Sequence, residues 1–216
     1  MESKVTTEHK KGKAEIFKNP FLESLTKTSL NSNIIIYGLT VILLIYIALV
    51  VKNIPINTFI SLFIVSIFSW TLTEYLLHRF IFHWINENKY VQRFHFIMHG
   101  SHHQYPKDTE RLLMPPVPGL IMGSLLFGLQ YVLFSIFGYG VLTWGFFPGF
   151  FLGYLLYSFL HRATHVYSPP KKYFGWIWRH HLLHHYRYPN KAFGVSNTIW
   201  DRVFGTMPPK RKTQKQ

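Results

Sequence analysis

The chain has 216 residues, 48% hydrophobic and 18% aromatic but only 15% charged, with a formal net charge of +14 and no cysteine. The length suits one domain, and the apolar residues gather in long runs, which points to a membrane protein rather than a soluble one. The missing cysteine excludes disulfides, zinc ribbons, iron–sulfur clusters and thiolate-ligated haem, and because Lys and Arg lie outside the apolar runs, an anionic membrane surface explains the charge better than nucleic acid does.

Residues 1–30 are polar and Lys-rich. They read as a loose basic tail with a short interfacial stretch over 21–25 and no cleaved signal peptide. An apolar run over 33–51 is long enough to cross the hydrocarbon core at ~1.5 Å per residue. Lys52, Asn53 and Pro55 interrupt it, and a second run covers 56–77, so the two predict an antiparallel hairpin. A polar stretch over 78–118 ends in Pro115, Pro116 and Pro118. A third run over 119–137, a tight turn at Gly138-Tyr139-Gly140 and a fourth run over 141–160 predict a second hairpin. The remainder is polar, basic and aromatic, and 210–216 reads as a disordered basic tail. The expected organisation is a tail over 1–30, a membrane domain over 31–209 and a tail over 210–216. Four buried helices of a soluble bundle are the alternative, disfavoured because such helices carry a polar stripe.

Two hairpins return the chain to one side each time, so the N-terminal tail, 78–118 and the C-terminal region share a face. That face holds 22 of the 23 Lys and Arg, leaving only Lys52 opposite. The positive-inside rule makes it cytoplasmic.

Twelve of the 13 histidines lie between 78 and 185, all at or beyond that one interface. They form four groups: His78 and His83; His95, His99, His102 and His103; His161 and His165; His180, His181, His184 and His185. Positions i, i+3 and i+4 share a helix face. His161 and His165, the triplet His99, His102, His103 and the triplet His181, His184, His185 fit that spacing, so each group is expected to aim at one point. His78 and His83 are five apart, about 140° around a regular helix. The helix is therefore expected to end or bulge over 79–82.

A structural zinc needs about four ligands and a catalytic zinc about three. These ten histidines exceed one metal and suit two, with about five each. Imidazole serves Fe, Zn, Cu or Ni. Few carboxylates are near, so a ferritin-like site is excluded. Glu74 and Asp201 are expected either to accept the outer N–H of a metal-binding ring or to play a plain structural part. His95 is read as a hydrogen-bond partner of the site or substrate, with ligation the lesser alternative; His180 points about 100° from His181 and is a weaker candidate. His9 reads as an exposed tail residue. No catalytic group beyond the metal ligands stands out. Tyr105, Tyr173 and Tyr186 border the histidine groups. Phe146, Phe147, Phe150, Phe151 and Tyr154 offer either a channel lining or ordinary packing surface.

The segments HRFIFH (78–83), HFIMHGSHHQYPKDTERLLMPP (95–116), HRATH (161–165), HHLLHH (180–185) and FGVSNTIWDRVFGT (193–206) resemble the fatty acid hydroxylase/sterol desaturase superfamily, most closely its fatty acid 2-hydroxylases. The resemblance covers most of 74–206. It implies an all-α integral-membrane di-iron monooxygenase, with four transmembrane helices in two hairpins and a cytosolic helical cap. The implied ligands are His78, His83, His99, His102, His103, His161, His165, His181, His184 and His185, the same ten that spacing selects. It further implies O2 as co-substrate and a fatty acid or sphingolipid acyl group hydroxylated at C2. Eukaryotic members often carry an N-terminal cytochrome b5 domain, for which this sequence has no room. A separate electron donor such as cytochrome b5 or a ferredoxin is therefore expected. Zinc is able to occupy the same imidazoles in a recombinant sample. Rival readings are sterol or carotenoid hydroxylation, lipid desaturation, a zinc hydrolase, and a membrane metal transporter or storage protein. Transport would place ligands near the bilayer midplane.

Overall fold

The computed structural model describes residues 9–209, so the expected tail over 210–216 and the first eight residues lie outside the described residues. Among the described residues every regular element is helical. The order is α1 (Pro20–Ser24), α2 (Leu30–Tyr46), α3 (Ile56–Leu76), α4 (Lys89–His95), α5 (Ser101–Gln104), α6 (Pro116–Ile136), α7 (Thr143–Val166), α8 (Gly175–Tyr186) and α9 (Ile199–Val203). Wider π turns extend α2 over Ile47–Val51 and α3 over Leu77–Phe82, and another joins α4 to α5 over Phe96–Gly100.

Among the described residues four helical spans are long and apolar enough to cross a membrane: Leu30–Val51, Ile56–Phe82, Pro116–Ile136 and Gly140–Val166. They form the two expected hairpins of a multi-pass membrane protein. Each begins where the local sequence allows. The Ser29 side chain accepts the Ser32 N–H at the start of α2, satisfying one of the donors left over at a helix N-terminus. Between α2 and α3, Asn53 takes a left-handed conformation (φ 50°), which asparagine tolerates better than most residues. α6 starts at Pro116, earlier than the apolar pattern suggests. Proline suits the first helical turn, where its missing N–H has no partner to lose, so the proline cluster opens this helix instead of belonging to the preceding loop. α7 continues to Val166 and carries His161 and His165 on its last turns.

The spans are not equivalent. Half of the most apolar window of the α7 span is buried by protein, against 17% or less for the others. α7 is the central helix, packed on α3, α2 and α6. Its core residues Phe147, Phe150, Phe151, Tyr154 and Leu155 meet Trp70 of α3 and Tyr37 and Val41 of α2. Glycines allow the closest approach. A Cβ at Gly149 would stand 2.3 Å from the Phe63 carbonyl oxygen, and one at Gly153 would stand 2.6 Å from the Trp70 Cβ. Spaced by four, these glycines let two backbones touch, as small residues do between membrane helices.

The N-terminal segment differs from the loose tail expected. Residues 9–28 form a strap across the cap. Lys10 N donates to Gln104 O at 2.7 Å and Thr28 N to Glu110 O at 2.9 Å. Ala14 N donates to Asp108 Oδ2 at 3.0 Å. Arg111 joins Glu23 of α1 to Asp108, the latter pair at 2.7 Å. Ala14 and Ile16 are buried by this docking, while Phe21, Leu22 and Leu25 of the interfacial stretch stay exposed. A basic composition hid the docking because its anchors are single residues on the facing loop.

Candidate metal centre

The ten spacing-selected histidines converge in two groups of five. His78, His83, His99, His103 and His184 form one, and His102, His161, His165, His181 and His185 the other; one ring nitrogen from each lies within 4.8 Å of the others in its group. Eight of the ten are buried and two, His83 and His165, half-buried.

The expected bulge after His78 is the π turn Leu77–Phe82, where His83 N donates to His78 O at 3.1 Å. A hydrogen bond spanning five residues brings i and i+5 onto one side, and the two rings lie 5.0 Å apart. The triplets depart from expectation, since neither aims at one point. His99 and His103 serve the first group while His102 serves the second; His181 and His185 serve the second while His184 serves the first. On a helix, i and i+4 differ by about 40°, but i+3 and i+4 differ by about 100°. The i+3 member therefore faces a different centre from the other two. The centres share a wall, with the His103 and His185 rings stacked at 4.2 Å.

The donor set fits metal ions. Nε2–Nε2 approaches of 2.9 Å (His78–His99), 3.0 Å (His99–His103) and 3.0 Å (His83–His184) link the first group. In the second they are 2.9 Å (His102–His161) and 2.7 Å (His165–His181). Two imidazoles at right angles around an ion about 2.1 Å away would have nitrogens about 3.0 Å apart. A carbonyl can only accept, so His78 Nδ1 must donate to Phe193 O (2.5 Å), His161 Nδ1 to Leu112 O (3.2 Å) and His184 Nδ1 to Lys191 O (2.7 Å). Each of these neutral rings then turns a bare Nε2 lone pair inward. His185 has neither nitrogen paired, and the Nδ1 atoms of His83, His102 and His181 are buried and unpaired. An unpaired buried ring is costly, and at His185 a cation taking one lone pair would relieve that cost. Burial, followed by the neighbouring rings, holds His83, His99, His102, His103, His181 and His185 well below the usual 6.5. At neutral pH these rings are uncharged, as ligation requires.

Glu74 and Asp201 act at one remove from where they were expected. Neither meets any of the ten rings. Glu74 accepts Val195 N at 2.6 Å, Ser196 N at 2.9 Å and the Ser196 hydroxyl. Asp201 accepts Phe193 N at 2.9 Å, Gly194 N at 2.8 Å and His180 Nε2 at 2.9 Å. Burial opposes the Asp201 charge, but the bonds from His180, Thr206 and Gly194 outweigh it and hold its pKa below the usual value. Together the two carboxylates clamp loop 193–197, whose Phe193 carbonyl orients His78. Ala192, at φ 60°, places the carbonyls of Lys191 and Phe193 on two different rings. His95 lies outside both groups, with Nδ1 donating to Phe82 O at 2.6 Å. His9 is exposed, as expected, but it is also anchored: its Nδ1 donates to the His103 carbonyl at 3.0 Å and its ring meets Tyr186 at 4.3 Å. Tyr173 and Tyr186 are exposed. The orienting carbonyls of Leu112, Lys191 and Phe193 were missed, because a backbone acceptor leaves no residue-type signal.

A cavity of about 450 Å³ reaches the centre from the membrane spans. Its walls are mostly apolar and come from α3, α6, α7 and the strap. At its polar end stand His99 of the first group and His102 and His161 of the second. Phe147, Phe150, Phe151 and Tyr154 line it; Phe146 does not.

A family model described as fatty acid hydroxylase matches residues 63–206. The fatty acid 2-hydroxylase of Homo sapiens is 39% identical over 168 residues, covering 74% of this chain and 44% of that protein. The ceramide very long chain fatty acid hydroxylase SCS7 of Saccharomyces cerevisiae is 35% identical over 201 residues, covering 91% of this chain and 50% of that protein. The chain thus spans about half the length of the curated relatives it matches. A solved structure described as full-length scs7p, with only the hydroxylase domain visible, matches with a TM-score of 0.80 at 35% identity, covering 95% of this chain and 76% of that one.

Proposed function

Because the chain belongs to the fatty acid hydroxylase family, we propose that it hydroxylates C2 of a lipid acyl chain, using O2 and two irons held by the ten histidines. The relatives are fatty acid and ceramide hydroxylases by name. The observation that carries the reading is the apolar cavity ending on imidazoles of both groups. A hydrocarbon seated there presents its reacting carbon to both centres at once.

The reaction balances as one C–H bond, O2, two electrons and two protons giving an alcohol and water. No side chain activates O2; a redox-active ion pair supplies that chemistry, which zinc, having no redox states, does not. The protein's own part is positional. Hydrogen bonds to Phe193, Leu112 and Lys191 fix three of the rings. The apolar walls exclude water and hold the chain extended, so that one carbon is presented. The electrons would come from a one-electron carrier such as cytochrome b5 or a ferredoxin. With 22 of the 23 Lys and Arg on one face by the hairpin order of the sequence, the positive-inside rule supports a cytoplasmic centre and termini, and the excess charge would steer an acidic carrier to it.

The test is the holoprotein reconstituted in bilayers with ferrous iron, a reductase–carrier pair and an N-acylated lipid, read by mass spectrometry. One added oxygen at C2, absent with His181→Ala, is expected. Loss of two hydrogens without oxygen gain would establish desaturation instead.

A further inference from the structure

α8 carries His181, His184 and His185 on one face and a different kind of surface on the other. At about 100° per residue, Arg179, Leu183 and Tyr186 lie about 140–160° around the helix from His181. Together with Leu182 and Arg187 they line a shallow apolar groove on the outside of α8. Arg179, Tyr186 and Arg187 are exposed and the two leucines half-buried. The groove is thus apolar along its middle, with an arginine towards each end, about 12 Å apart along the axis. The charge around it is of one sign. No Asp or Glu occurs between Glu110 and Asp201, whereas Arg162, Lys171, Lys172, Arg179, Arg187 and Lys191 all fall in that interval. None of the six has an ion-pair partner among the described residues. The other cap segment that supplies a histidine triplet, 99–103, is bound by the strap, through His9 on the His103 carbonyl and Lys10 N on Gln104 O. On α8 the face behind the rings stays open.

We propose that this outer face of α8 is the docking site of an acidic one-electron carrier. The proposal rests on the hydroxylase reading above, whose balance takes two electrons from outside the substrate. A carrier seated there is separated from the histidine groups by α8 alone, about 10–12 Å of helix with its side chains. Leu182 and Leu183 offer an apolar seat for the exposed edge of the carrier's redox group. Arg179 and Arg187 pair with carboxylates around that edge, which gives the apolar centre and charged rim of a protein interface. Each docking passes one electron and leaves the carrier oxidised, so two dockings serve one hydroxylation.

The experiment reads binding apart from turnover. The full chain in nanodiscs is titrated with a soluble cytochrome b5 and with a plant-type ferredoxin by surface plasmon resonance, and hydroxylated lipid is measured in parallel on metal-loaded protein. The wild type is expected to bind at least one carrier, with a Kd that weakens steeply as salt rises to about 0.15 M, where charges are screened beyond about 8 Å. Arg179→Glu/Arg187→Glu should weaken that Kd about tenfold or more at low salt and flatten its salt dependence, with iron content unchanged. Arg179→Gln/Arg187→Gln should fall between, and decides alone should the charge reversal fail to fold. Lys18→Glu/Lys89→Glu makes the same change in net charge outside the groove and should move Kd less than about twofold. Three results overturn the docking site: no binding of either carrier to the wild type, unchanged binding by the arginine variants (as arginines facing lipid head groups would give), or equal weakening by the lysine variant. Carrier binding lost as expected, with no product from any lipid in the wild type, sinks the hydroxylase reading and leaves the docking site standing.

Discussion

Glu74→Ala should empty one metal centre and spare the other. Glu74 touches no metal-binding ring; it holds Val195 N, Ser196 N and the Ser196 hydroxyl. Removing it leaves two backbone donors without a partner, Val195 fully buried and Ser196 partly so. At about 1–3 kcal/mol for each unsatisfied buried donor, the cost is about 2–6 kcal/mol. The loop relieves that cost by moving, and the Phe193 carbonyl moves with it, releasing His78 from its fixed orientation. Loss of such an orienting partner weakens metal affinity about 10–100-fold. His78 belongs to only one group; the second, oriented through Leu112 from another loop, is untouched. Iron per chain, measured by elemental analysis after dialysis against a graded chelator, should show one ion leaving at 10–100-fold lower chelator than in the wild type. Glu74→Gln keeps an acceptor for the two backbone donors and should fall between. Simultaneous loss of both ions from a folded protein, or no change in either, would refute the role given to the loop.

Gly149→Ala forces a Cβ to within 2.3 Å of the Phe63 carbonyl and the Ser66 hydroxyl, so the α3–α7 contact must open; a loss of about 1–3 kcal/mol should appear as a lower Tm in detergent, and an unchanged Tm would contradict the close packing. Acid should destabilise the metal-free fold: burial lowers the folded-state pKa of His99, His102 and His181 below 6.5, so below pH 6.5 the unfolded chain takes up protons that the folded one cannot, and stability present above that pH is lost as pH falls. A Tm of the metal-free protein that stayed flat from neutral pH down through that range would show the rings are not so enclosed. Arg111→Ala breaks the links from the strap to Asp108 through Glu23, so limited proteolysis within residues 9–28 should quicken several-fold while the membrane spans stay protected; equal cleavage rates would mean the strap is held by other contacts.

The helices and the ten histidines were legible because both rest on repeating signals. Apolar runs of membrane length have few rival readings, and imidazoles at helical spacing betray a shared face. The His78–His83 spacing even signalled a break in the helix, since five residues fit no regular turn. What escaped depends on single contacts between distant segments. The strap is anchored by Asp108, Glu23 and Arg111, ordinary charged residues until the loop brings them together. Loop 193–197 matters through a backbone carbonyl, and Glu74 through backbone N–H groups. Tertiary placement alone gives those groups a role.

The division of the triplets follows from helix geometry, and it explains why two centres need so little chain. Three imidazoles at i, i+3 and i+4 span about 100°, too wide for one ion but suited to two that lie side by side. α8 thus sends His181 and His185 to one centre and His184 to the other, while the 96–104 segment sends His99 and His103 to the latter and His102 to the former. Each centre is completed by a pair from the end of a membrane span, His78 and His83 from the α3 span and His161 and His165 from α7. The two triplets cross-link the centres, and the stacked His103 and His185 rings fill the wall between them. A rotation of α8 about its axis would disturb both histidine groups together, whereas a shift of either membrane span would disturb mainly one. The spacing between the two histidine groups is therefore set by the cap, and their position over the apolar cavity by the spans.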